Sequence, residues 1–279
     1  MKSHNTWLLL VLAGCWPGVL GAQLQLLPDP EPQRVFAGEA RNITVVWHNA
    51  GDNTAAAEVR TRLSQTSSAT VVPLADKLWE KIQVLPGQTV LETARVDFPD
   101  VRAGTAFLIQ WLDGTNRVLG KTVALVYPTN LLAELKPLLG EDTLGVLDPN
   151  NELKPLLKQN RAEFVDLGET SLDDFQGKLA VIGPFQSKAQ MREDLAQTVQ
   201  RIARKGAAIV WIQPPRVPKD NIKPSFYVVP EGRGAVVVVQ TDLVANLAEY
   251  PQSQLNLVYF CKLALHPEPF VLPDLNSQP

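Results

Sequence analysis

Cysteine is scarce in this sequence: only Cys15 and Cys261 occur in 279 residues. Cys15 lies in an apolar N-terminal segment, which leaves Cys261 without a partner. This excludes a disulfide framework and a cysteine-rich metal site. We expect Cys261 to be buried, because an unpaired cysteine behaves as a small core hydrophobe and its neighbours on a predicted helix are apolar.

Histidine is also rare, and no charge of one sign dominates. His4, His48 and His266 lie far apart in the sequence, and no helix pairs a histidine with a carboxylate at metal-binding spacing. The net charge is −3 and the isoelectric point is near 5.7, so nothing indicates a nucleic-acid partner. We therefore expect neither a metal nor another cofactor.

A long hydrophobic run is missing after the N-terminal segment. In that segment Lys2 precedes an apolar stretch from Trp7 to Trp16, Pro17-Gly18 interrupts it, and small residues follow at Gly21-Ala22. This order is typical of a signal peptide, and the stretch is shorter than the roughly 20 residues of a membrane span. We predict a signal peptide over residues 1–22 and export to the periplasm or the cell exterior.

A second interpretation of the leader stays open. Leu12-Ala13-Gly14-Cys15 resembles a bacterial lipobox, in which Cys15 is lipidated and anchors the chain to a membrane. The short apolar stretch before Cys15, and the apolar residues directly after it, favour cleavage near Ala22 instead.

Apolar and polar residues alternate with the period of β-strands from Val35 to Tyr127. The predicted strands are Ile43–Trp47, Ala55–Leu63, Leu78–Leu85, Thr89–Phe98, Ala106–Leu112 and Val118–Val126. Turn-forming clusters separate them, which predicts an immunoglobulin-like β-sandwich over residues 23–128. Because no cysteine pair joins its sheets, we expect Trp47 and Trp111 to fill much of the core.

Three segments of this region carry a resemblance. Ile43 to Gly51 reads ITVVWHNAG, Glu58 to Leu63 alternates long side chains, and Leu85-Pro86-Gly87 precedes a new strand. In these residues the region resembles adhesion-related bacterial domains. The resemblance implies a spacer or docking module.

The pattern changes after a connector at residues 129–140. Strands and helices alternate through residues 141–266, which predicts a parallel sheet with helices on both faces. The predicted strands are 144–147, 163–167, 178–182 and 207–212, and the predicted helices are 152–160 and 188–205. A hairpin of Ser225–Val229 and Ala235–Val239 follows, then a helix over Ser253–Leu265 and a Pro-rich tail at residues 267–279.

Three segments of residues 141–266 support a second resemblance. Leu144 to Asp148 reads LGVLD, Leu179 to Pro184 reads LAVIGP, and Lys205 to Trp211 reads KGAAIVW. With the hairpin that follows, they resemble the class-one glutamine amidotransferase-like domains attached to beta-galactosidase-type glycoside hydrolases. The resemblance implies a flavodoxin-like α/β fold.

Activity does not follow from that fold. Active members of the family place a cysteine nucleophile just after the third strand, where this sequence has Gly183-Pro184-Phe185-Gln186-Ser187. His266 follows the final helix without the expected glutamate. Acyl transfer needs a nucleophile and a base to activate it, so the amidotransferase reaction is excluded, and Ser187 is interpreted as a helix cap.

Polar residues at the carboxyl ends of the predicted strands are the candidate site. Asp148, Gln186 and Gln213 each follow a strand, and ligands of open α/β sheets bind at this edge. Together they present two amides and a carboxylate for a sugar hydroxyl or a peptide. Asp148 fits the cap of the next helix equally well.

These observations predict a non-enzymatic exported envelope protein, in which the sandwich is a spacer and the degenerate amidotransferase-like domain binds a protein or carbohydrate partner. A carbohydrate-active hydrolase or transferase is the first alternative, with Asp148, Asp166 or Glu169 as acid/base residues. A structural accessory subunit of an envelope complex is the second. The oligomeric state is not predicted.

Overall fold

A computed structural model describes residues 24–267, apart from residues 39, 68, 215–225 and 241. The predicted leader with Cys15, the first residue of the predicted hairpin and almost all of the predicted tail lie outside the described residues. Within the described part, none of the helices has the length and apolar character that a membrane crossing requires.

The N-terminal half is built from strands, which we call the two-sheet unit (residues 24–127). Its strands are β1 (Leu24–Leu27), β2 (Gln33–Phe36), β3 (Ala40–Asn49), β4 (Ala55–Thr66), β5 (Val71–Val84), β6 (Thr89–Asp97), β7 (Thr105–Leu112) and β8 (Val118–Tyr127). One sheet has the order β1-β3-β6 and the other β2-β8-β7-β4-β5. All neighbours are antiparallel except β2 and β8, which are parallel.

Both sheets contribute alternate residues to one hydrophobic core. Trp47 on β3 and Trp111 on β7 have no exposed surface, and their ring centroids lie 6.0 Å apart in an edge-to-face arrangement. The prediction that these two tryptophans fill the core is confirmed.

The sequence placed the start of β5 wrongly. The predicted strand begins at Leu78, whereas β5 begins at Val71. Pro73 and the lack of alternation from Val71 to Lys77 hide this half of the strand. Proline is tolerated here because β5 is an edge strand, where a missing N–H costs no ladder hydrogen bond when it faces outward.

The C-terminal half alternates strands and helices, and we call it the α/β unit (residues 131–265). After a 3₁₀ turn at Leu131–Glu134, its elements are α1 (Leu135–Leu139), β9 (Leu144–Leu147), α2 (Leu153–Gln159), β10 (Phe164–Asp166), β11 (Leu179–Ile182), α3 (Leu195–Lys205), β12 (Ala208–Ile212), β13 (Phe226–Glu231), β14 (Gly234–Val239) and α4 (Pro251–Leu265). The predicted alternation and hairpin are both present.

Its sheet has the order β10-β9-β11-β12-β14-β13, with every neighbour parallel except β13. Alternate residues of a strand point to opposite faces, and the two faces have separate cores. Leu179 and Val181 pack on one face with α1, α2 and α4. Ala180 and Ile182 pack on the other with α3. The central strands are buried on both faces, as the apolar runs predicted.

The long helix predicted from Lys188 was wrong in its first seven residues. Lys188–Gln190 form a short 3₁₀ turn without a buried residue, and α3 begins only at Leu195. From Leu195 onward, Val199 and Ile202 supply a buried stripe on one helix face, whereas among residues 188–194 only Met191 packs against the core. Ser187 directly precedes the 3₁₀ turn, in the predicted cap position.

Candidate functional site

The candidate site lies at the carboxyl ends of β11, β12 and β14, beside the connection that follows β9. From β9 the chain proceeds to β10 on one side, and from β11 it proceeds to β12 on the other. Such a reversal opens a crevice at the carboxyl edge of a parallel sheet. A cleft of about 270 Å³ lies at this edge, with Ile212, Phe185 and Val244 among its apolar lining residues. We call it the carboxyl-edge cleft.

Two of the three predicted site residues line this cleft. Gln186 follows β11 and is exposed, and its Nε2 donates to Glu152 Oε1 at 3.4 Å. Gln213 follows β12 and is half-buried, and its Oε1 accepts from Gln240 Nε2 at 2.8 Å. Gln186 and Gln213 therefore line one cleft, and their predicted role in ligand binding stays a prediction.

Asp148, the third predicted residue, does not line the cleft. It is only 4% exposed, and its Oδ2 accepts from the backbone N–H groups of Leu153 at 2.8 Å and Lys154 at 3.0 Å. Those groups are orphan donors in the first turn of α2, so the helix-cap alternative is the one observed. Oδ1 is buried and accepts no hydrogen bond from the described residues.

Replacement of Asp148 by alanine is expected to cost about 1–3 kcal/mol of stability, because two buried N–H groups lose their acceptor. Denaturant unfolding followed by circular dichroism measures the loss. Asp174→Ala is the control, since the Asp174 side chain is exposed and makes no hydrogen bond to the described part of the chain; its expected cost is below about 0.5 kcal/mol. Equal losses for the two variants would contradict the capping role.

The other two carboxylates of the hydrolase alternative also lie away from the cleft. Asp166 accepts from Lys154 Nζ at 2.8 Å and from the Gly168 N–H at 2.9 Å. The hydrogen bond from Lys154 lowers the pKa of the Asp166 carboxyl against the opposing effect of burial. Glu169 is exposed. Asp166 thus ties β10 to α2, and none of Asp148, Asp166 and Glu169 is among the lining residues of the cleft.

Three polar residues of the cleft were missed by the sequence analysis. Glu152 precedes α2 and is half-buried, and Asp242 and Asn246 follow β14 and are exposed. Asp242 could have been found from its position shortly after β14. This strand runs parallel to β12, so its carboxyl end lies at the same edge of the sheet. Glu152 could have been found from its position directly before α2, since the connection from β9 to α2 leaves the sheet at this edge.

The turn after β11 occupies the nucleophile position of the amidotransferase resemblance. Gly183 has a φ of +106°, and its peptide bond to Pro184 is cis. Phe185 is 3% exposed and packs into the core between the sheet and α3. The side chain at the centre of this turn is therefore a core residue and not an exposed nucleophile.

A polar network fixes this turn against the β9–α2 connection. Asn150 Nδ2 donates to the Pro184 carbonyl at 2.9 Å, and Asn150 Oδ1 accepts from Gln190 Nε2 at 2.7 Å. Gln190 Oε1 accepts from the Gln186 backbone N–H at 2.8 Å. The network holds the backbone of Gln186 at the rim of the cleft, although its side chain stays exposed.

The remaining candidate reactive groups lie elsewhere. Cys261 is fully buried on α4, as predicted, and burial raises the pKa of its thiol to about 12. His48 Nδ1 lies 3.0 Å from Thr89 Oγ1 in the two-sheet unit, and His266 directly follows α4. Among the described residues, no group of three or more histidine, cysteine, aspartate and glutamate side chains is placed to hold a metal ion.

Comparison with known proteins gives no family. No protein-family model matches the sequence, and no curated protein matches it. The DNA glycosylase AlkC of Pseudomonas fluorescens has a TM-score of 0.30 and 11% identity, over 38% of this chain and 30% of its own. A beta-glucosidase from Listeria innocua has a TM-score of 0.28 and 15% identity, over 37% of this chain and 16% of its own. The sporulation control protein Spo0M of Bacillus subtilis has a TM-score of 0.29 and 13% identity, over 44% of this chain and 60% of its own.

In each of these three solved structures, the match spans less than two thirds of the other protein's length. Structural similarities with TM-scores this low, each covering less than half of this chain, support no statement about its function.

Proposed function

We propose that this chain is a non-enzymatic exported envelope protein that binds a carbohydrate in the carboxyl-edge cleft. In this proposal the two-sheet unit is an immunoglobulin-like spacer. The α/β unit is a flavodoxin-like, amidotransferase-like domain without a nucleophile. The strand order, which reverses direction between β9 and β11, supports the second assignment.

One observation carries the proposal. The turn after β11 points Phe185 into the core, and the cleft beside it is lined by amides, carboxylates and apolar side chains. Nucleophilic catalysis requires a nucleophile within hydrogen-bonding distance of a base. The described residues of the cleft include no cysteine, serine or histidine, so the arrangement favours binding over acyl transfer.

The polar groups of the cleft suit a neutral ligand rich in hydroxyl groups. Each amide side chain of Gln186, Gln213 and Asn246 both donates and accepts hydrogen bonds, and a carboxylate accepts them. A sugar hydroxyl is likewise a donor and an acceptor. No lysine or arginine is among the described lining residues, which disfavours phosphate and carboxylate ligands.

The test is binding to an array of bacterial cell-envelope oligosaccharides. We expect the double variant Gln186→Ala/Gln213→Ala to bind at least about tenfold more weakly than the wild type, because two hydrogen bonds are lost. Gln176→Ala is the matched control, since Gln176 is an exposed glutamine near the amino end of β11, at the opposite edge of the sheet.

Equal binding by the double variant, or no binding to any oligosaccharide, would overturn the carbohydrate assignment. Recovery of a protein from envelope extract by the wild type but not by the double variant would assign the cleft to a protein partner instead.

A hydrolase acting in this cleft would use Glu152 and Asp242, two carboxylates of its lining, in place of the carboxylates named from the sequence. Glycosidic hydrolysis uses such a pair, one as acid and one as base or nucleophile. Incubation with the array-selected oligosaccharide separates the two functions. Turnover that is lost in Glu152→Gln would establish the alternative, and an unchanged saccharide supports binding alone.

A further inference from the structure

The outer edge of β5 has no strand beside it in the described part of the chain. β5 is the last strand of the five-stranded sheet and pairs only with β4. It is 14 residues long, and Leu78 near its middle is 62% exposed. A long edge strand with an exposed apolar side chain is a template for pairing with a further strand.

A β-bulge at Trp79 interrupts the regular alternation of side chains along this edge. Glu80 lies opposite Val59 of β4 and Leu78 lies opposite Arg60, so Trp79 is an additional residue without its own partner. One extra residue reverses the alternation of faces. Asp76 and Lys81, five positions apart, therefore lie on the same face of the sheet as Leu78.

We propose that β5 pairs antiparallel with β5 of a second copy of this chain, with Leu78 opposite Leu78 on the two-fold axis. In this register Lys77 faces Glu80 of the other copy, and Asp76 faces Lys81. Each opposed pair joins residues of one sheet face, and each charged pair has opposite signs. Such an isologous contact repeats each charged pair twice and joins the two five-stranded sheets.

Charge selects this register over its neighbours. Antiparallel pairing about a two-fold axis shifts in steps of two rungs, because opposed residues must share a face. A shift in one direction places Glu80 opposite itself, and a shift in the other places Lys77 opposite itself. Like charges directly opposite destabilise a sheet. Among these three registers, only the Leu78-centred one places an opposite charge across from each of Asp76, Lys77, Glu80 and Lys81.

The charges on the edge are available for this contact. Glu80 and Lys81 are exposed and form no ion pair with the described part of the chain. Lys77 contacts Asp97 at 2.7 Å, and Asp76 contacts Arg60 at 2.8 Å and Arg62 at 3.1 Å. All of these side chains lie on the surface, where ion pairs rearrange at little cost. Pro73, which has no N–H to donate, lies beyond the stretch from Ala75 to Ile82 that the register pairs.

The first test is the monomer–dimer equilibrium by sedimentation velocity over a range of protein concentrations. We expect the wild type to dimerise and Glu80→Lys to raise the dissociation constant at least about tenfold, because two ion pairs become two like-charge pairs. The double variant Lys77→Glu/Glu80→Lys restores opposite signs and is expected to recover dimerisation. Glu92→Lys, on β6 at one edge of the three-stranded sheet, is the control of equal charge change.

A wild type that stays monomeric at every concentration would overturn the proposal, including the case in which another segment of the same chain covers the edge. Equal weakening by Glu80→Lys and Glu92→Lys would overturn it as well, since net charge would then explain the effect.

The second test checks the register. Leu78→Cys in a Cys15→Ser background is expected to cross-link between copies with a short bis-maleimide, because directly opposed residues have Cβ atoms about 5 Å apart. Cys261 is buried and does not compete. Leu91→Cys is the control, since Leu91 is 66% exposed on β6. A dimer in which Leu78→Cys fails to cross-link, or cross-links no better than Leu91→Cys, contradicts the register.

Discussion

Replacement of Trp111 by alanine is expected to lower the free energy of unfolding of the two-sheet unit by about 4 kcal/mol. Trp111 is fully buried, and its ring packs edge-on against Trp47 at 6.0 Å and Trp79 at 5.0 Å. Its Nε1 donates to Thr122 Oγ1 at 3.1 Å. Alanine removes the apolar contacts, leaves a cavity between the two sheets and leaves the buried hydroxyl of Thr122 without this donor.

Urea unfolding followed by far-ultraviolet circular dichroism measures this loss without relying on tryptophan fluorescence. Trp111→Phe is the graded control and is expected to cost less than the alanine variant, because it keeps an aromatic ring beside Trp47 and Trp79. A cost below about 1 kcal/mol for Trp111→Ala would show that the two sheets do not share the core described above.

Gly183→Ala is expected to destabilise the α/β unit by about 3 kcal/mol or more, from backbone strain and overpacking together. The φ of Gly183 is +106°, a conformation that side chains with a Cβ rarely adopt. An added Cβ would also overlap the carbonyl oxygen of Ile212 on the neighbouring strand. Because Ile212 lines the carboxyl-edge cleft, we expect any displacement there to weaken ligand binding as well.

Gly87→Ala is the matched control for Gly183→Ala. Gly87 has a φ of +67°, but an added Cβ would meet no atom within 4 Å. Its expected cost is about 1 kcal/mol, from backbone strain alone. Thermal or denaturant unfolding measures both losses. An equal cost would show that neither the overlap with Ile212 nor the larger φ of Gly183 adds to the destabilisation.

Much of the fold was predictable because the deciding signals are local. Alternation marked most of the strands of the two-sheet unit, and the switch to apolar runs separated by helices marked the parallel sheet. The start of β5 was not predictable, because the segment around Pro73 becomes a strand only through pairing with β4. The bulge at Trp79 also depends on that partner. The start of α3 depended on which residues face the core, which the helical period alone did not reveal.

The candidate site was predictable in its position and only partly in its members. The rule that ligands bind at the carboxyl ends of parallel strands placed Gln186 and Gln213 correctly. It did not separate capping from ligand contact for Asp148, because both need an aspartate directly after a strand. Glu152 and Asp242 were missed, since their meeting in one cleft follows from the packing of four connections that are distant in sequence.

The central claim is that the carboxyl-edge cleft binds an oligosaccharide without converting it. A single nuclear magnetic resonance titration tests this most directly, because the backbone amide signals report where the ligand binds and the ligand signals report whether it changes. We predict that the largest shifts map to Gln186, Gln213 and Asn246, and that the saccharide signals stay unchanged over many hours. Shifts confined to other surfaces, or the appearance of a cleaved saccharide, would contradict the account.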